Sequence, residues 1–401
     1  MLLLSLLFVA NTALAAGPTS DSVKLADNGK VLEGRVVFEG ADDVVIRVDG
    51  KDQRMPRTKI AEIRSLERSL APILDRDLRT ADAPALRSLA TDCQKAGIAA
   101  EAKNFWTWSL LSDATNDDAV QGAGARRAGK EIKLALGKDQ RNLSDLTKRQ
   151  DSWKSAYAIE SSHFKLQSDL DLASLLDLSV ALERFHKRFY DTLGAPLELY
   201  VLDEAPEVFV YGRAADFPVP PMKGDRVWFA PAANRLSVLA DAETNIGAVV
   251  TELSKLMLFN ALRRSAGPTT QVPAWTMNGI AVVFAVAAPS ERFGPWRALD
   301  TVDPTSFALA ASANLALDRV FNAAANDFNA DPKRREMQAS AYSLVHYLVF
   351  GEAGALRNGY GTFLREGAKG KISLGALSDA LGKSQKDIAS GWRTYVQANA
   401  K

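Results

Sequence analysis

With 401 residues, 49 basic against 48 acidic side chains and a formal charge of +1, the chain has no global field to gather nucleic acid or anionic membrane. Its apolar and charged fractions are those of a globular protein, and its length suffices for two or three domains. No basic run interleaved with aromatics occurs, which leaves a nucleic-acid partner without support. Residues 1–16, MLLLSLLFVANTALAA, read as a signal peptide: an apolar run over 2–10, then Ala13-Leu14-Ala15 as an A-x-A cleavage site. No Lys or Arg precedes the run, so either the natural start lies upstream or the signal is atypical. The stretch is too short to span a bilayer, and no other segment is long and apolar enough for a transmembrane helix. A secreted or periplasmic protein is therefore expected. Cys93 is the only cysteine, which excludes an intrachain disulfide. Its helical spacing from Leu86 and Leu89 marks a buried structural thiol. With no cysteine following the signal, a lipid anchor is not expected.

Residues 17–65 alternate as strands do. Val23 and Leu25 precede a turn at Asp27-Asn28-Gly29. Val36 and Phe38 follow, then Val44, Ile46 and Val48 before the hairpin signal Asp49-Gly50, with Ile60 and Ile63 closing the segment. The pattern predicts a small β-barrel of the SH3-like kind, and it resembles modules at the front of some secreted bacterial proteins. Residues 66–150 turn helical: a helix, an Ala96-Gly97 turn, a second helix and a polar turn, with 137–149 as a polar boundary. Glu101, Ala102 and Phe105 after the small-residue turn resemble one tetratricopeptide unit (TPR-like). A single unit cannot bury its own face, so it reads as a connector.

Residues 151–401 form the main domain. A strand is expected over 158–166, an amphipathic helix over 171–193 ending at Gly194, a second strand over 197–201, and a hairpin from 226–229 and 236–239. After Asn278 the pattern is helical, with apolar periodicity over 342–350, 360–365 and 385–396. Between these parts lies VTELSKLMLFNALRRSAGPTTQVPAWTMNGIAVVF, residues 250–284. It resembles the core of the peptidase-MA-like (gluzincin) zinc metallopeptidases, in which an H-E-x-x-H helix precedes a helix carrying W-x-x-E-G-x-A. Thr251-Glu252-Leu253-Ser254-Lys255 stands at the first motif and Trp275-Thr276-Met277-Asn278-Gly279-Ile280-Ala281 at the second. Flanking segments from SSHFKLQSD to the closing ALSDALGKSQKDIASGWRTYV extend the likeness over 152–398. The resemblance implies an α+β fold: a small sheet and active-site helix, then a helical half that closes the cleft.

What the resemblance implies about chemistry is a loss. A catalytic zinc needs three protein ligands and an open position. The ligand positions hold Thr251, Lys255 and Asn278: a neutral hydroxyl, an ammonium without a lone pair and a neutral amide. No metal or other cofactor is therefore expected. The chain has only His163, His186 and His346 as spare imidazoles. Glu160/His163 and Glu183/His186 both read E-x-x-H, but the first pair falls in an expected strand, where i and i+3 face opposite sides, and one helical pair binds no metal. Glu252 and Lys255, three apart on one helix, suit an ion pair in which Lys255 takes over the metal's charge; the same two residues also read as the surface of an amphipathic helix. No nucleophile elbow, C-x-x-C or glycine-rich phosphate cradle occurs.

Three functional readings remain at this point. One is a catalytically degenerate pseudoenzyme binding peptide or a cell-envelope component. The second is a hydrolase using Glu252 with Tyr342 or His346 as an acid–base pair. The third is a structural envelope protein.

Overall fold

The computed structural model describes residues 21–137, 139–220, 224–242, 244–290, 294–329 and 332–401, so the expected signal peptide lies outside the described residues. The fold is mixed α+β, 52% helix and 18% strand, with three small sheets.

The first sheet is antiparallel, in the order β4-β3-β2-β1-β5, from β1 (Asp21–Leu25), β2 (Val31–Glu39), β3 (Asp43–Val48), β4 (Lys51–Pro56) and β5 (Ile60–Arg64). Asp49 and Gly50 both adopt positive φ, which produces the tight β3–β4 turn that pairs Val48 with Lys51. Val23, Val36, Val44, Ile46 and Ile63 fill one face. A bulge at Val36/Phe38 turns Val37, Phe38 and Val45 to the other face, against Tyr200.

Helices α1 (Leu66–Leu74), α2 (Ala83–Lys95), α3 (Ala99–Ser112) and α4 (Asp117–Gly122) come next. Buried Asp21 ties the first sheet to the start of α1 by accepting hydrogen bonds from the Val36 and Leu66 amides, each at 2.8 Å. Ser65, Asp82 and Asn116 cap α1, α2 and α4 with side-chain oxygens, and Gly97 at φ +75° makes the expected turn between α2 and α3. The helical reading then fails. Residues expected as helix and polar boundary form a sheet of β6 (Ala125–Ala128), β7 (Glu131–Leu136) and β8 (Asp139–Asn142), followed by the short α5 (Leu143–Leu146). Gly129 and Gly137, both at positive φ, end β6 and β7, and Ile132, Leu134 and Leu136 bury every second side chain.

The main sheet runs β12-β13-β11-β10-β9, from β9 (Tyr157–Glu160), β10 (Lys165–Ser168), β11 (Glu207–Tyr211), β12 (Val227–Ala230) and β13 (Arg235–Leu239). β10, β11 and β13 are parallel; the edge strands β9 and β12 are antiparallel to their neighbours. Two expectations change here. The single strand over 158–166 is two strands joined by the Ser161–Phe164 turn, closed by the Ser161 amide on the Phe164 carbonyl at 2.9 Å. The strand expected over 197–201 is irregular backbone beyond the short α7 (Ala195–Leu197), with Glu198 at φ +52°; the strand sits at β11. Leu197, Leu199 and Val201 are apolar because they are buried, not because they pair in the sheet.

Helix α6 (Leu172–Phe189), capped by Asp171, packs on this sheet. The helical half follows: α8 (Ile246–Ala266), α9 (Ala274–Ala287), α10 (Pro304–Ala313), α11 (Leu317–Phe321), α12 (Ala325–Asn329), α13 (Arg334–Phe350), α14 (Arg357–Ala368), α15 (Leu374–Leu381) and α16 (Gln385–Asn399). α13 is its central post, buried almost throughout from Met337 to Val349. Among the described residues no helix is long and apolar enough to cross a membrane.

Candidate functional site

α8 begins at Asn245, whose side chain accepts the Ala248 amide at 3.0 Å, and it buries Val249, Val250, Leu253, Leu256, Met257 and Leu258. α9 starts after Pro273 and sinks Trp275 fully into the core, beside Tyr360, Phe363 and Phe321. An ideal Cβ on Gly247 would stand 3.9 Å from the Ala285 carbonyl, so the start of α8 meets the end of α9 and the helices run antiparallel. At 1.5 Å per residue, that register sets the 251–255 turn opposite residues 277–281. Gly279 has a steric reason. A Cβ there would lie 2.4 Å from Val345 Cγ2 and 2.6 Å from the Ala341 carbonyl oxygen of α13. The glycine permits α9 to seat against the central post.

On this helix pair Thr251, Glu252, Lys255 and Asn278 are occupied with one another or with their own helices. Lys255 Nζ donates to Glu252 Oε1 at 2.6 Å, and both side chains are mostly buried, at 16% and 19% exposure. The ion pair forms and Glu252 and Lys255 are not a freely solvated face, although they are not sealed from water either. Thr251 Oγ1 donates to the Gly247 carbonyl at 2.8 Å, and Asn278 Nδ2 donates to the Ala274 carbonyl at 2.8 Å. Each polar group is thus turned back one turn on its own helix, where it satisfies a local acceptor.

The two other candidates are engaged elsewhere. Tyr342 Oη accepts the Asp303 amide at 3.1 Å and donates to the Thr301 carbonyl at 3.3 Å, closing the loop that leads into α10. His346 Nδ1 meets Tyr395 Oη at 2.8 Å, within the α10–α13–α16 packing around Phe307. Burial holds the His346 imidazole down at about 4, so it is neutral at physiological pH. Among the described residues no hydrogen bond links Glu252 to either of them, and an acid–base pair is not assembled.

Cavities flank this helix pair. One of about 1290 Å³ opens where β11 and β13 end and α8 begins, with Val210, Val238, Ile246, Val286, Trp296 and Arg149 on its walls. It is amphiphilic, mixing aliphatic surface with arginines and aspartates. β12, which neighbours α8, pairs only with β13 among the described residues.

The sequence reading missed the most highly charged buried cluster, which lies elsewhere. His163, in the β9–β10 turn, is not paired with Glu160. Its Nδ1 contacts Glu183 Oε2 at 2.6 Å, its amide donates to Glu183 Oε1 at 2.8 Å, and its Nε2 contacts Glu67 Oε1 at 3.2 Å. The His186 ring stacks on it at 3.5 Å between centroids, 11° from parallel. Ser162 donates twice to Glu101, from its amide at 2.7 Å and its hydroxyl at 2.6 Å. The two E-x-x-H pairs do converge, but through Glu183, His163 and His186. The local spacing hinted at Glu183/His186; nothing in it announced Glu67 or Glu101, which lie 96 and 61 residues from their partners. Among the described residues no group of three or more His, Cys, Asp or Glu side chains is arranged to hold a metal ion. Both His163 nitrogens are already bonded to carboxylates, and a protonated imidazole has no lone pair to give.

Comparison with known proteins identifies no relative. No family model matches the chain, and no curated protein or solved structure matches it. The site is therefore read from its own chemistry.

Proposed function

We propose that the chain is an exported, catalytically degenerate metallopeptidase-like protein that binds an extended peptide, or a peptide-bearing component of the cell envelope, without cleaving it. On this reading the main domain is gluzincin-like, and the front sheet and helices are an SH3-like barrel and a TPR-like connector that carry it. The observation that carries the reading is the Glu252–Lys255 ion pair at 2.6 Å on α8. The carboxylate that would polarise a metal-bound water is instead neutralised by an ammonium at the position where a metalloenzyme has an imidazole. Without a metal there is no strongly activated water at neutral pH. Thr251 and Asn278, bonded to their own helices, offer no replacement.

A binding role is supported by what surrounds the pair. Among the described residues β12 pairs on one side only, beside α8, and an extended peptide adds to such a sheet edge through its main chain while side-chain pockets confer selectivity. The amphiphilic cleft at the start of α8 supplies room for those side chains. The test uses the purified full chain with short, fluorescently labelled extended peptides, zinc added, followed by anisotropy and by mass spectrometry of the peptides. Saturable binding with intact peptides is the expected result. Cleavage products whose formation Glu252→Gln abolishes would overturn the reading.

A further inference from the structure

His186 is 4% exposed on α6, with its ring stacked on His163 and Tyr190 and Phe164 around it. Neither ring nitrogen has a hydrogen-bond partner among the described residues, and neither is sealed from solvent. Buried polar groups are as a rule hydrogen-bonded, so this ring points to a partner from outside the chain.

The space beside it is a cavity of about 520 Å³ that carries His186 on its wall. It lies at the amino ends of the parallel strands, bordered by Lys165 of β10, Glu207 of β11 and Asn234 just before β13. The amphiphilic cleft described above opens at the carboxyl ends of β11 and β13, so the two are separate sites. Small-molecule pockets occupy about 300–1,000 Å³, and this cavity is of that size.

The charges on its wall are unequally paired. Arg47 and Arg264 hold the Asp203 carboxylate, and Arg235 holds Glu207 at 2.7 Å. His163 already faces its own two carboxylates, Glu183 and Glu67. Among the described residues no carboxylate pairs with Arg35 of β2 or with Lys165. Arg35 Nη1 donates only to the Asp203 carbonyl at 3.4 Å, a long and weak bond. Glu204, which is exposed, is the one acid on this wall without a printed cation beside it among the described residues. Two unpaired cations therefore stand against one unpaired carboxylate. The Arg35 charge also reaches His186: burial first, then the charges of His163 and Arg35, hold that imidazole well below 6.5 and neutral. A neutral imidazole keeps one N–H to donate. Phe164, Leu202, Pro206 and Met257 supply the apolar part of the wall.

We propose that this cavity binds a small organic carboxylate, with the Arg35 guanidinium and the His186 N–H donating to its oxygens. A guanidinium fork matches the two oxygens of a carboxylate, and such charge-assisted bonds are about twice as strong as neutral ones. The imidazole N–H adds a directional donor from a buried position. A monoanion suits the wall better than a phosphate, which brings a charge of about −1.5 to −2 against the acids Asp203, Glu204 and Glu207. The apolar wall takes a short hydrocarbon body, so benzoate or butyrate fits better than formate. The site does not depend on the peptide reading, because no residue of the 251–255 turn or of β12 lines it.

NMR of the full chain tests the site by following the His186 ring signals through titrations at neutral pH and constant ionic strength. The probes are benzoate, butyrate, inorganic phosphate and chloride. Benzoate is expected to shift the His186 signals saturably, with a Kd of about 1 mM or tighter, and chloride to leave them in place. Arg35→Gln is expected to weaken benzoate at least about tenfold, and Arg35→Lys, which keeps the charge but loses the fork, by less. His186→Phe keeps an aromatic ring against His163 and removes the N–H; followed through the fluorine signal of fluorobenzoate, it should weaken binding about tenfold. His186 signals that stay unmoved up to about 20 mM benzoate overturn the proposal, a result that needs no variant. An equal shift with chloride overturns it as well, and so does benzoate binding that Arg35→Gln or His186→Phe retains in full. Phosphate bound more tightly than benzoate overturns the choice of a carboxylate.

Discussion

Gly279→Ala asks whether the α9–α13 contact sets the framework. The added methyl would sit 2.4 Å from Val345 Cγ2, 2.6 Å from the Ala341 carbonyl oxygen and 2.9 Å from Val345 Cβ. Carbon atoms rest at about 3.5–4.0 Å, so the helices must part by about 1 Å or more. Val345 is constrained by its branched Cβ, and Ala341 presents backbone, so neither yields cheaply. Overpacking of this kind costs about 1–3 kcal/mol, set against about 1 kcal/mol regained from the better helix propensity of alanine. The backbone clash puts the cost at the upper end, and a net loss of about 1–2 kcal/mol is expected. Gly375→Ala on α15 is the control. Its only near neighbour is Ser373 Oγ at 3.7 Å, so propensity acts unopposed and a gain of up to about 1 kcal/mol is expected. Urea unfolding followed by circular dichroism measures both. A Gly279→Ala protein as stable as the wild type would refute the close contact and with it the reason for this glycine.

Glu252→Gln leaves the Lys255 ammonium mostly buried without its carboxylate and is expected to cost about 1–2 kcal/mol; the Glu252→Gln/Lys255→Met double variant should recover part of that. A double-mutant cycle should yield a coupling of about 0.5–1.5 kcal/mol, and a coupling of zero would reduce the pair to a surface contact. Cys93 is fully buried, and burial pushes its thiol up to about 12, so at pH 8 it should react with a thiol reagent only after denaturation. Gly50→Val forces a branched residue into φ +75° at the β3–β4 hairpin and should cost about 1–3 kcal/mol, read as a lower melting temperature.

How much was legible depended on whether the determining residues were neighbours in sequence. Asp49-Gly50 specified a hairpin because both backbone conformations are encoded in the dipeptide itself. Asp171 marked a helix start because the cap bond spans three residues. Glu252 and Lys255 were readable as a pair because one helical turn joins them. The Ser161–Phe164 turn was not, since it contains no glycine, proline or asparagine and its flanks continue the strand alternation. The β6–β8 sheet was obscured by alanines and lysines that suit helices, although the alternation of Ile132, Leu134 and Leu136 carried the signal. The His163 cluster was invisible because its carboxylates come from three different helices, and only the fold brings them together.

The proposed function supposes that Thr251, Lys255 and Asn278 stand together on the facing helices α8 and α9 where a zinc peptidase would hold its ligands. Calorimetric titration of zinc into the triple variant Thr251→His/Lys255→His/Asn278→Glu, beside the wild type, tests it most directly. The variant introduces two imidazoles one turn apart and a carboxylate on the facing helix. One zinc per chain with a Kd below about 1 μM, roughly −8 kcal/mol or better, is predicted for the variant, and no binding in that range for the wild type. A folded variant that binds no zinc would show that the three positions do not converge. Tight zinc binding by the wild type would contradict the proposed metal-free site.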